Sequence, residues 1–489
     1  MAHKILWVGS WEGGQLQAGG LESFNQQDLY MTVGAINAYN KQDADVSDTA
    51  NTGAATGPPG TLTDTGASWQ TDQWKHYLVT CNGKTMTVAS NTATVLTGKA
   101  GWSGGGNPGS PFPYTLVGVV AHGRYAHRPV VAGLGEMLDM IGDYHPRQRD
   151  IIWFTAYLAV QGFDARANLP SGSDDRYRGP TFGNVIVATG LNLQMKARRL
   201  NGTEQVQWFL YRGDTELGIA SAQLTPPTGF VRVQVKYTVS TRAWATYYNG
   251  TLQASGTAAV GTTFNEWMTV RNVRRDGKGS DAGPHIIYDS LIVSDAESGD
   301  TADALMAVMY QPDCNVISEF TGDFRDVDDD NDDAPVAGDE ADPSASAQLE
   351  AFRFKSEPSG TVLGVRLICG SDDEIKHDLV AWINGDATRQ QYANPLHGYK
   401  AGGAMFTGKQ LYQTPQPTPV DWTTALFATL RAGVQAVGAA PNVEKFYAIA
   451  VGTGLTRPAK TAAGVGACST GEAVPGGLAA ARRRFALVT

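Results

Sequence analysis

Apolar and polar residues alternate along much of the chain, in runs that are short. Within residues 118–298, runs such as DIIWFTAYLAV, EQVQWFLYRG and GFVRVQVKYTV are each bounded by turn-forming residues. A period of two predicts β-strands, and closely spaced turn signals without intervening helices predict two packed sheets. This region is therefore predicted to be a β-sandwich of the jelly-roll type, and the chain as a whole to be all-β.

Asn-Gly pairs mark two tight hairpins. Asn82-Gly83 separates YLVTC from KTMTVAS, and Asn249-Gly250 joins the two halves of RAWATYYNGTLQASG. Asn-Gly is favoured in two-residue hairpin turns because both turn positions need positive φ. The first hairpin lies in residues 55–117, between the connectors TGPPGT and GWSGGGNPGSPFP. We interpret these residues as a small inserted β-module with Trp69 and Trp74 in its core.

The inserted module divides the jelly-roll domain into residues 1–54 and 118–300. A second, smaller β-sandwich is predicted for residues 301–452, followed by a C-terminal tail, 453–489, that is poor in bulky apolar residues. Two stretches instead have a helical period. One is GLGEMLDMIGDY, and the other is TTALFATLRAG, for which Asp421 or Thr423 is the predicted N-cap and Gly433 the C-terminal stop.

Composition and charge narrow the classes of function. The chain has 489 residues, of which 42% are hydrophobic and 18% charged, and its formal net charge is −10. An acidic surface repels phosphate, so we expect no nucleic-acid partner, and the one basic cluster, Arg482-Arg483-Arg484, is interpreted as a solvated tail. No run approaches the roughly 18 apolar residues of a membrane span, and MAHKILWVGSWEGG does not fit a signal peptide. We therefore expect no membrane span and synthesis in a cytoplasm.

The four cysteines, Cys81, Cys314, Cys369 and Cys468, are far apart and include no C-x-x-C pair. This spacing disfavours zinc knuckles, thioredoxin-type chemistry and a disulfide framework. The prediction is that they are buried free thiols.

Several motifs together resemble a known class of proteins. VRVQVKYTVSTRAWATYYNGTLQASG followed by IIYDSLIVSDAESG is similar to the concanavalin-like, laminin-G-like jelly rolls. The order DVDDDNDDAP, AQLEAFRF and DWTTALFATLRAGVQAV, together with LTDTGASWQTDQW near the start, resembles virion structural proteins of tailed phages. The resemblance covers about two-thirds of the chain. It implies a concanavalin-like jelly roll with a structural role in a virion assembled in a bacterial host.

Enzyme signatures are missing from the sequence. Retaining glycanases on jelly rolls are identified by an E-x-D-x-x-E strand, and this spacing does not occur; the nearest residues, Glu136 and Asp139, lie in a helix-like context. The sequence contains no zinc-protease motif or P-loop, and no nucleophile elbow or dinucleotide fingerprint in the strand–turn–helix context that those motifs require. His122 and His127 are the only close histidine pair, and ordinary hydrogen bonding is favoured over metal binding. We expect no enzyme and no catalytic or cofactor-binding residues.

Aromatic residues on the predicted strands allow two interpretations. They would fill the sandwich core, or they would stack against sugar rings from an exposed face, as in lectins. The sequence does not assign a face to them. The residues are Trp153, Trp208, Trp244, Trp267, Tyr247 and Tyr248.

An acidic run, DVDDDNDDAPVAGDEAD, places nine carboxylates in residues 326–342. Asp328, Asp330 and Asp332 fall at positions 1, 3 and 5 of an EF-hand loop, but position 6 is Asp333 rather than Gly and position 12 is Asp339 rather than Glu. The run is interpreted as a solvated connecting loop. Asp328, Asp330 and Asp332 are kept as candidate Ca²⁺ ligands.

These observations predict a non-enzymatic structural protein of a tailed-phage virion. The tail, baseplate or fibre apparatus is favoured, with contact to a host-surface glycan as a further role. The expected partners are other virion proteins and further copies of the chain, with a trimer favoured. The alternatives are a capsid decoration protein and, from another class, a carbohydrate-binding module or glycanase acting on host polysaccharide.

Overall fold

The computed structural model describes the greater part of the chain. The described residues are 4–9, 39–43, 47–50, 52–54, 59–69, 74, 77–109, 111–117, 125–129, 138–140, 150–163, 177–178, 180–183, 192–200, 203, 205–212, 215–258, 269–272, 284–295, 304–321, 343–354, 358–371, 378–383, 389–392, 405–437, 443 and 445–456.

Nearly all regular structure in these residues is β. In chain order the first nine strands are β1 (Lys4–Gly9), β2 (Tyr39–Asp43), β3 (Ser47–Ala50), β4 (Thr52–Ala54), β5 (Thr61–Thr63), β6 (Leu78–Cys81), β7 (Lys84–Asn91), β8 (Val95–Gly98) and β9 (Phe112–Val117). The next thirteen are β10 (Tyr125–Pro129), β11 (Leu138–Met140), β12 (Ile151–Phe163), β13 (Tyr177–Arg178), β14 (Pro180–Gly183), β15 (Asn192–Arg199), β16 (Val206–Arg212), β17 (Thr215–Ile219), β18 (Val231–Thr238), β19 (Ala243–Tyr248), β20 (Thr251–Thr257), β21 (Thr269–Asn272) and β22 (Pro284–Asp295). The last group is β23 (Leu305–Tyr310), β24 (Pro312–Ser318), β25 (Leu349–Phe354), β26 (Thr361–Ser371), β27 (Asp378–Ile383), β28 (Gln390–Tyr392), β29 (Met405–Leu411), α1 (Thr424–Ala428), β30 (Leu430–Gln435) and β31 (Lys445–Thr453). The predicted all-β class is confirmed.

Two antiparallel sheets form the large sandwich. One, the large sheet, has the order β2-β10-β22-β12-β18-β19-β20, with β1 also paired to β22. The other, the facing sheet, has the order β11-β21-β14-β15-β16-β17, with β13 also paired to β15. Every second residue of a strand points to the same face, so the alternating positions of β12, β15, β16 and β18 meet in one apolar core. Its largest fully buried members are Trp208, Phe154 and Tyr237.

The edge of the sandwich closes where β17 approaches β20. The Thr246 hydroxyl donates to the Ile219 carbonyl oxygen at 2.7 Å. The Trp244 indole fills the space beside Gly218 and Gly256, and a Cβ placed on Gly256 would lie 2.8 Å from Trp244 Cζ2. The bare glycine backbone therefore admits the indole at this edge.

A small sheet of order β3-β9-β6-β7-β8-β5-β4 carries its own core, which includes Trp74, Tyr77 and Trp102. The predicted Asn82-Gly83 hairpin is confirmed, with φ of 46° and 69° at the two turn positions. Trp69, predicted to lie in this core, packs against it while partly exposed.

The second sandwich pairs a sheet of order β23-β31-β26-β29 with a sheet of order β24-β25-β30-β27-β28. Its core includes Tyr310, Phe352, Trp422 and Phe446. Nearby, the carboxylate of Glu350, only 1% exposed, accepts hydrogen bonds from the Asn315 side chain and from the backbone N–H groups of Glu319 (3.0 Å) and Phe320 (3.1 Å). Three donors thus satisfy the buried carboxylate.

The two helix predictions need correction. Thr423 is the N-cap of α1, and its hydroxyl accepts from the Leu426 N–H at 3.1 Å, but the helix ends after one turn. Gly433, the predicted stop, lies inside β30, because Leu430–Gln435 pairs with both β25 and β27 and cross-strand hydrogen bonds replace helical ones. In GLGEMLDMIGDY the described residues, Leu138–Met140, form β11, because they pair with β21 at the edge of the facing sheet.

Candidate functional site

The outer face of the large sheet, opposite the sandwich core, is covered at two places. Ala159 and Ile287 on this face join the core of the small sheet. Further along β22, Ile292 joins an apolar cluster with β1 and the second sandwich, which we call the junction; its buried members are Ile5, Val8, Ile292, Leu305, Ala307, Met309, Ile368, Tyr447, Ile449 and Val451. The jelly roll is thereby packed against both other β units.

Arg366 crosses the junction. It lies on β26 and is fully buried, and its Nη1 donates to the Val8 carbonyl oxygen on β1 at 3.1 Å. On the jelly-roll side, the Ser290 hydroxyl donates to Asp289 Oδ1 at 3.0 Å and accepts from the Ala307 N–H of β23 at 3.4 Å. Directed hydrogen bonds inside an apolar cluster fix one relative orientation of the two sandwiches, because any shift would leave buried polar groups unsatisfied.

A second cluster of polar side chains lies on the outer face of β15–β17, and we call this surface the basic-aromatic face. Leu193, Met195 and Ala197 of β15 point into the core, so the intervening residues point outward, as do the residues between Val206, Trp208 and Leu210 on β16. The outward residues are Gln194, Lys196, Arg198, Gln207, Phe209 and Tyr211, with Glu216 on β17.

Cations stack on aromatic rings across this face. Lys196 Nζ lies 4.5 Å from the centroid of the Tyr211 ring, and the Arg198 guanidinium carbon lies 3.8 Å from that of Phe209. Arg198 Nη1 also donates to Glu216 Oε2 at 2.9 Å, and the Tyr211 hydroxyl donates to the same oxygen at 3.1 Å. Lys196, Phe209 and Tyr211 are almost completely buried, whereas the Arg198 and Glu216 side chains are 20% and 41% exposed. Solvent therefore reaches the face at the Arg198–Glu216 pair.

The part of the face that solvent reaches carries groups able to bind acidic sugars. The Arg198 guanidinium can pair with a carboxylate or sulfate and the half-buried Gln207 amide can hydrogen-bond a hydroxyl, whereas the buried Phe209 and Tyr211 rings support Arg198 and Lys196 and do not face solvent. Sequence reasoning did not identify this face. Its signal is the alternation within LNLQMKARR and VQWFLYR, but which strands pair is a non-local property.

The aromatic residues singled out from the sequence mostly fill cores. Trp208 and Trp244 are buried in the large sandwich core, and Tyr248 packs against it. Trp153 and Tyr247 pack together on the outer face of the large sheet, with ring centroids 5.2 Å apart and ring planes tilted by 39°, and both are buried. Trp267 lies outside the described residues. Of the described five, none projects into solvent as a sugar platform.

The candidate metal ligands cannot be placed. Asp328, Asp330 and Asp332 lie outside the described residues, as do His122 and Glu136. His127 is in β10 and Asp139 in β11. Within the described part of the chain, no group of three or more His, Cys, Asp or Glu residues could hold a metal ion. The calcium hypothesis stays a prediction.

The cysteine prediction is confirmed in part. Cys81 and Cys369 are buried free thiols, and burial raises the pKa of the Cys81 thiol. Cys314, however, is disulfide-bonded, so the expectation of a free thiol is wrong there. Cysteines distant in sequence can meet in space, which spacing does not reveal. Cys468 lies outside the described residues.

Burial also shifts the pKa of one tyrosine on the outer face of the large sheet. It raises the pKa of Tyr157 to about 12; the nearby Arg232 guanidinium lowers this pKa and the Asp289 carboxylate raises it. In the portion of the chain that can be described, no helix is long and apolar enough to cross a membrane.

Comparison with known proteins gives distant likenesses. A scan against protein-family models finds no match, and no curated protein matches the chain. Among solved structures, an alginate lyase matches 34% of this chain and 80% of its own at 17% identity, with a TM-score of 0.24. Domains LG4-5 of the mouse laminin alpha1 chain match over 64% and 78% at 10% identity, with a TM-score of 0.21. The binding domain of botulinum neurotoxin serotype D matches over 81% and 97% at 9% identity, with a TM-score of 0.25. At these TM-scores the likenesses carry no inference about function.

Proposed function

We propose that this chain is a non-enzymatic structural component of a tailed-phage virion, in the tail, baseplate or fibre apparatus, and that it acts as a homo-oligomer. The resemblance in motif order supports the virion assignment. The observation that carries the structural role is the junction, in which Arg366 and an apolar cluster hold two sandwiches in one orientation.

The physical reason is that domains joined by small polar contacts move relative to one another by default, whereas apolar, hydrogen-bonded contacts resist motion. A protein whose work is to hold neighbours at fixed positions in a symmetric assembly needs such resistance. The small sheet, packed on the same outer face through Ala159 and Ile287, adds to it.

Imaging of intact particles with labelled antibody against this chain tests the proposal. Label on the tail or its fibres is expected. Label confined to the head would favour the capsid decoration alternative, and its absence from purified particles would overturn the virion role. Particles made without the gene are the control for antibody specificity.

A second function, binding of a host-surface glycan, is favoured by the basic-aromatic face. Removal of the guanidinium in Arg198→Ala is expected to weaken binding to a carboxylated or sulfated polysaccharide about tenfold or more, since the solvent-accessible cation of this face, which would make a charge-assisted bond to the sugar's anionic group, is lost. Arg389→Ala is the matched control, because Arg389 also lies over an aromatic ring, that of Trp382 at 5.1 Å, but in the second sandwich.

Binding is measured on an array of acidic and neutral glycans. Equal loss in both variants, or no binding by the unaltered protein, would remove the glycan function and leave the structural role untouched. The same polysaccharides, incubated with the protein and assayed for new reducing ends, test for catalysis. Their release would overturn the non-enzymatic assignment.

A further inference from the structure

Where β17 approaches β20, each is the last strand of its sheet in the described part of the chain. Within the described residues β17 pairs only with β16 and β20 only with β19, and neither strand has a buried position. Ile219 on β17 is 38% exposed and Leu252 on β20 is 54% exposed. Both belong to the small set of large apolar side chains that are exposed in the described part of the chain.

β20 lacks the charges and the proline that usually protect an edge strand. Its sequence, TLQASGT, contains no Lys, Arg, Asp, Glu or Pro, so every residue keeps its N–H and no charge blocks approach. The one irregularity in its pairing with β19 falls between Thr246 and Tyr247, beside Leu252. The register from Ala254 to Thr257 is regular, which leaves a straight segment able to accept another strand.

We infer that β20 pairs antiparallel with β20 of a second copy of this chain, about a twofold axis. This inference rests on the proposal that the chain acts as a homo-oligomer, and it names the contact surface. A strand without charge can meet itself without like charges facing each other, which matters for a chain whose formal net charge is −10.

The apolar side chains on and next to β20 also favour a second copy of the chain as the partner. Leu252 is the direct cross-strand partner of Tyr247, whose ring packs against that of Trp153. The exposed Leu252 thus ends an aromatic row on the outer face of the large sheet. Pairing of two copies would continue the sheet across the axis and bring both Leu252 side chains out of water. A twofold contact of this kind gives a dimer rather than the trimer expected from the sequence.

Light scattering coupled to size exclusion, over a wide range of protein concentration, measures the mass. Twice the 52.0 kDa of one chain is expected, with tighter association as salt screens the negative charge. Leu252→Lys should weaken dimerisation about tenfold or more, since it replaces an apolar side chain on the paired strand with a charge, a device that protects edge strands from pairing. Val437→Lys is the matched control: Val437 is also 54% exposed but lies in the second sandwich, and this variant should dimerise normally.

Cross-linking locates the contact independently. Ser255 is exposed on the regular part of β20, so Ser255→Cys is expected to form a covalent dimer under mild oxidation, whereas Ser344→Cys, exposed in the second sandwich, is not. A monomer at all concentrations, a trimer, or equal behaviour of Leu252→Lys and Val437→Lys would overturn the inference. If the protein is monomeric but is still found on phage tails, only the β20 contact is overturned. If the protein is absent from particles, the virion role is overturned.

Discussion

Replacement of Arg366 should loosen the jelly roll from the second sandwich. Its side chain is fully buried, and its Nη1 donates to the Val8 carbonyl oxygen, 358 residues away in sequence. In Arg366→Ala that carbonyl loses its charged donor, at a cost of about 1–3 kcal/mol. Loss of two packed methylenes adds about 0.8 kcal/mol each. Relief of the desolvated charge offsets part of this, so we expect a net loss of about 3 kcal/mol.

Arg366→Met separates these contributions. It keeps the apolar stem and removes only the guanidinium, so it should cost about 2 kcal/mol less than the alanine variant if packing dominates, and the same if the hydrogen bond dominates. Arg431→Ala is the control. Arg431 is 4% exposed and donates to the Leu430 carbonyl oxygen at 3.0 Å, but that bond is local to the second sandwich.

Hydrogen exchange is the appropriate assay, because a chain with several β units does not have a single free energy of unfolding. Arg366→Ala should speed amide exchange in β1 and β22, while Arg431→Ala should leave exchange in β1 unchanged. Unchanged protection of β1 in Arg366→Ala would refute the assignment of Arg366 as the residue that fixes the junction.

Three further predictions concern the sandwiches themselves. The pKa of folded Tyr157 is raised to about 12 from an ordinary value near 10. The stability that the neutral phenol supports is therefore complete below about pH 10 and is lost as pH rises toward 12. Tyr157→Phe should remove up to about 3 kcal/mol of this pH dependence, measured by urea unfolding at a series of pH values. Gly256→Ala should cost about 1–3 kcal/mol by collision with Trp244, while Gly229→Ala, whose Cβ would meet nothing within 4 Å, should cost little, with melting temperature as the measurement. Glu350→Ala should lower the melting temperature of the second sandwich more than Glu350→Gln, since the amide oxygen still accepts part of the bonds that the carboxylate accepts; equal losses would contradict this.

Local signals in the sequence were sufficient for local structure. Asn82-Gly83 and Asn249-Gly250 form the predicted turns because positive φ depends only on the residues concerned. The capping of α1 by Thr423 is equally local, since its hydroxyl accepts from the N–H of Leu426, three residues on. The helix beyond it was overestimated, since pairing of Leu430–Gln435 with two neighbouring strands overrides the helical period of TTALFATLRAG.

Features that depend on distant residues were not predictable. Lys196 and Tyr211 lie in separate strands, and their contact depends on a register that the sequence does not state. The same holds for Arg366, which reads as one polar residue in an otherwise apolar strand until Val8 is placed beside it. Composition counts the polar residues of the chain but does not show which of them are buried or which of them meet.

β1 and β22 pair in the folded protein although they are synthesised at very different times. Lys4–Gly9 emerges from the ribosome long before its hydrogen-bonding partner, Pro284–Asp295, and before the Arg366 side chain. Contacts so distant in sequence form slowly because a long loop must close first. During that interval the apolar run KILWVG has no native partner and is exposed to wrong pairing. A strand that is made well before its partner is thus secured late, and the yield of folded protein should depend on how well the host shields it in the meantime.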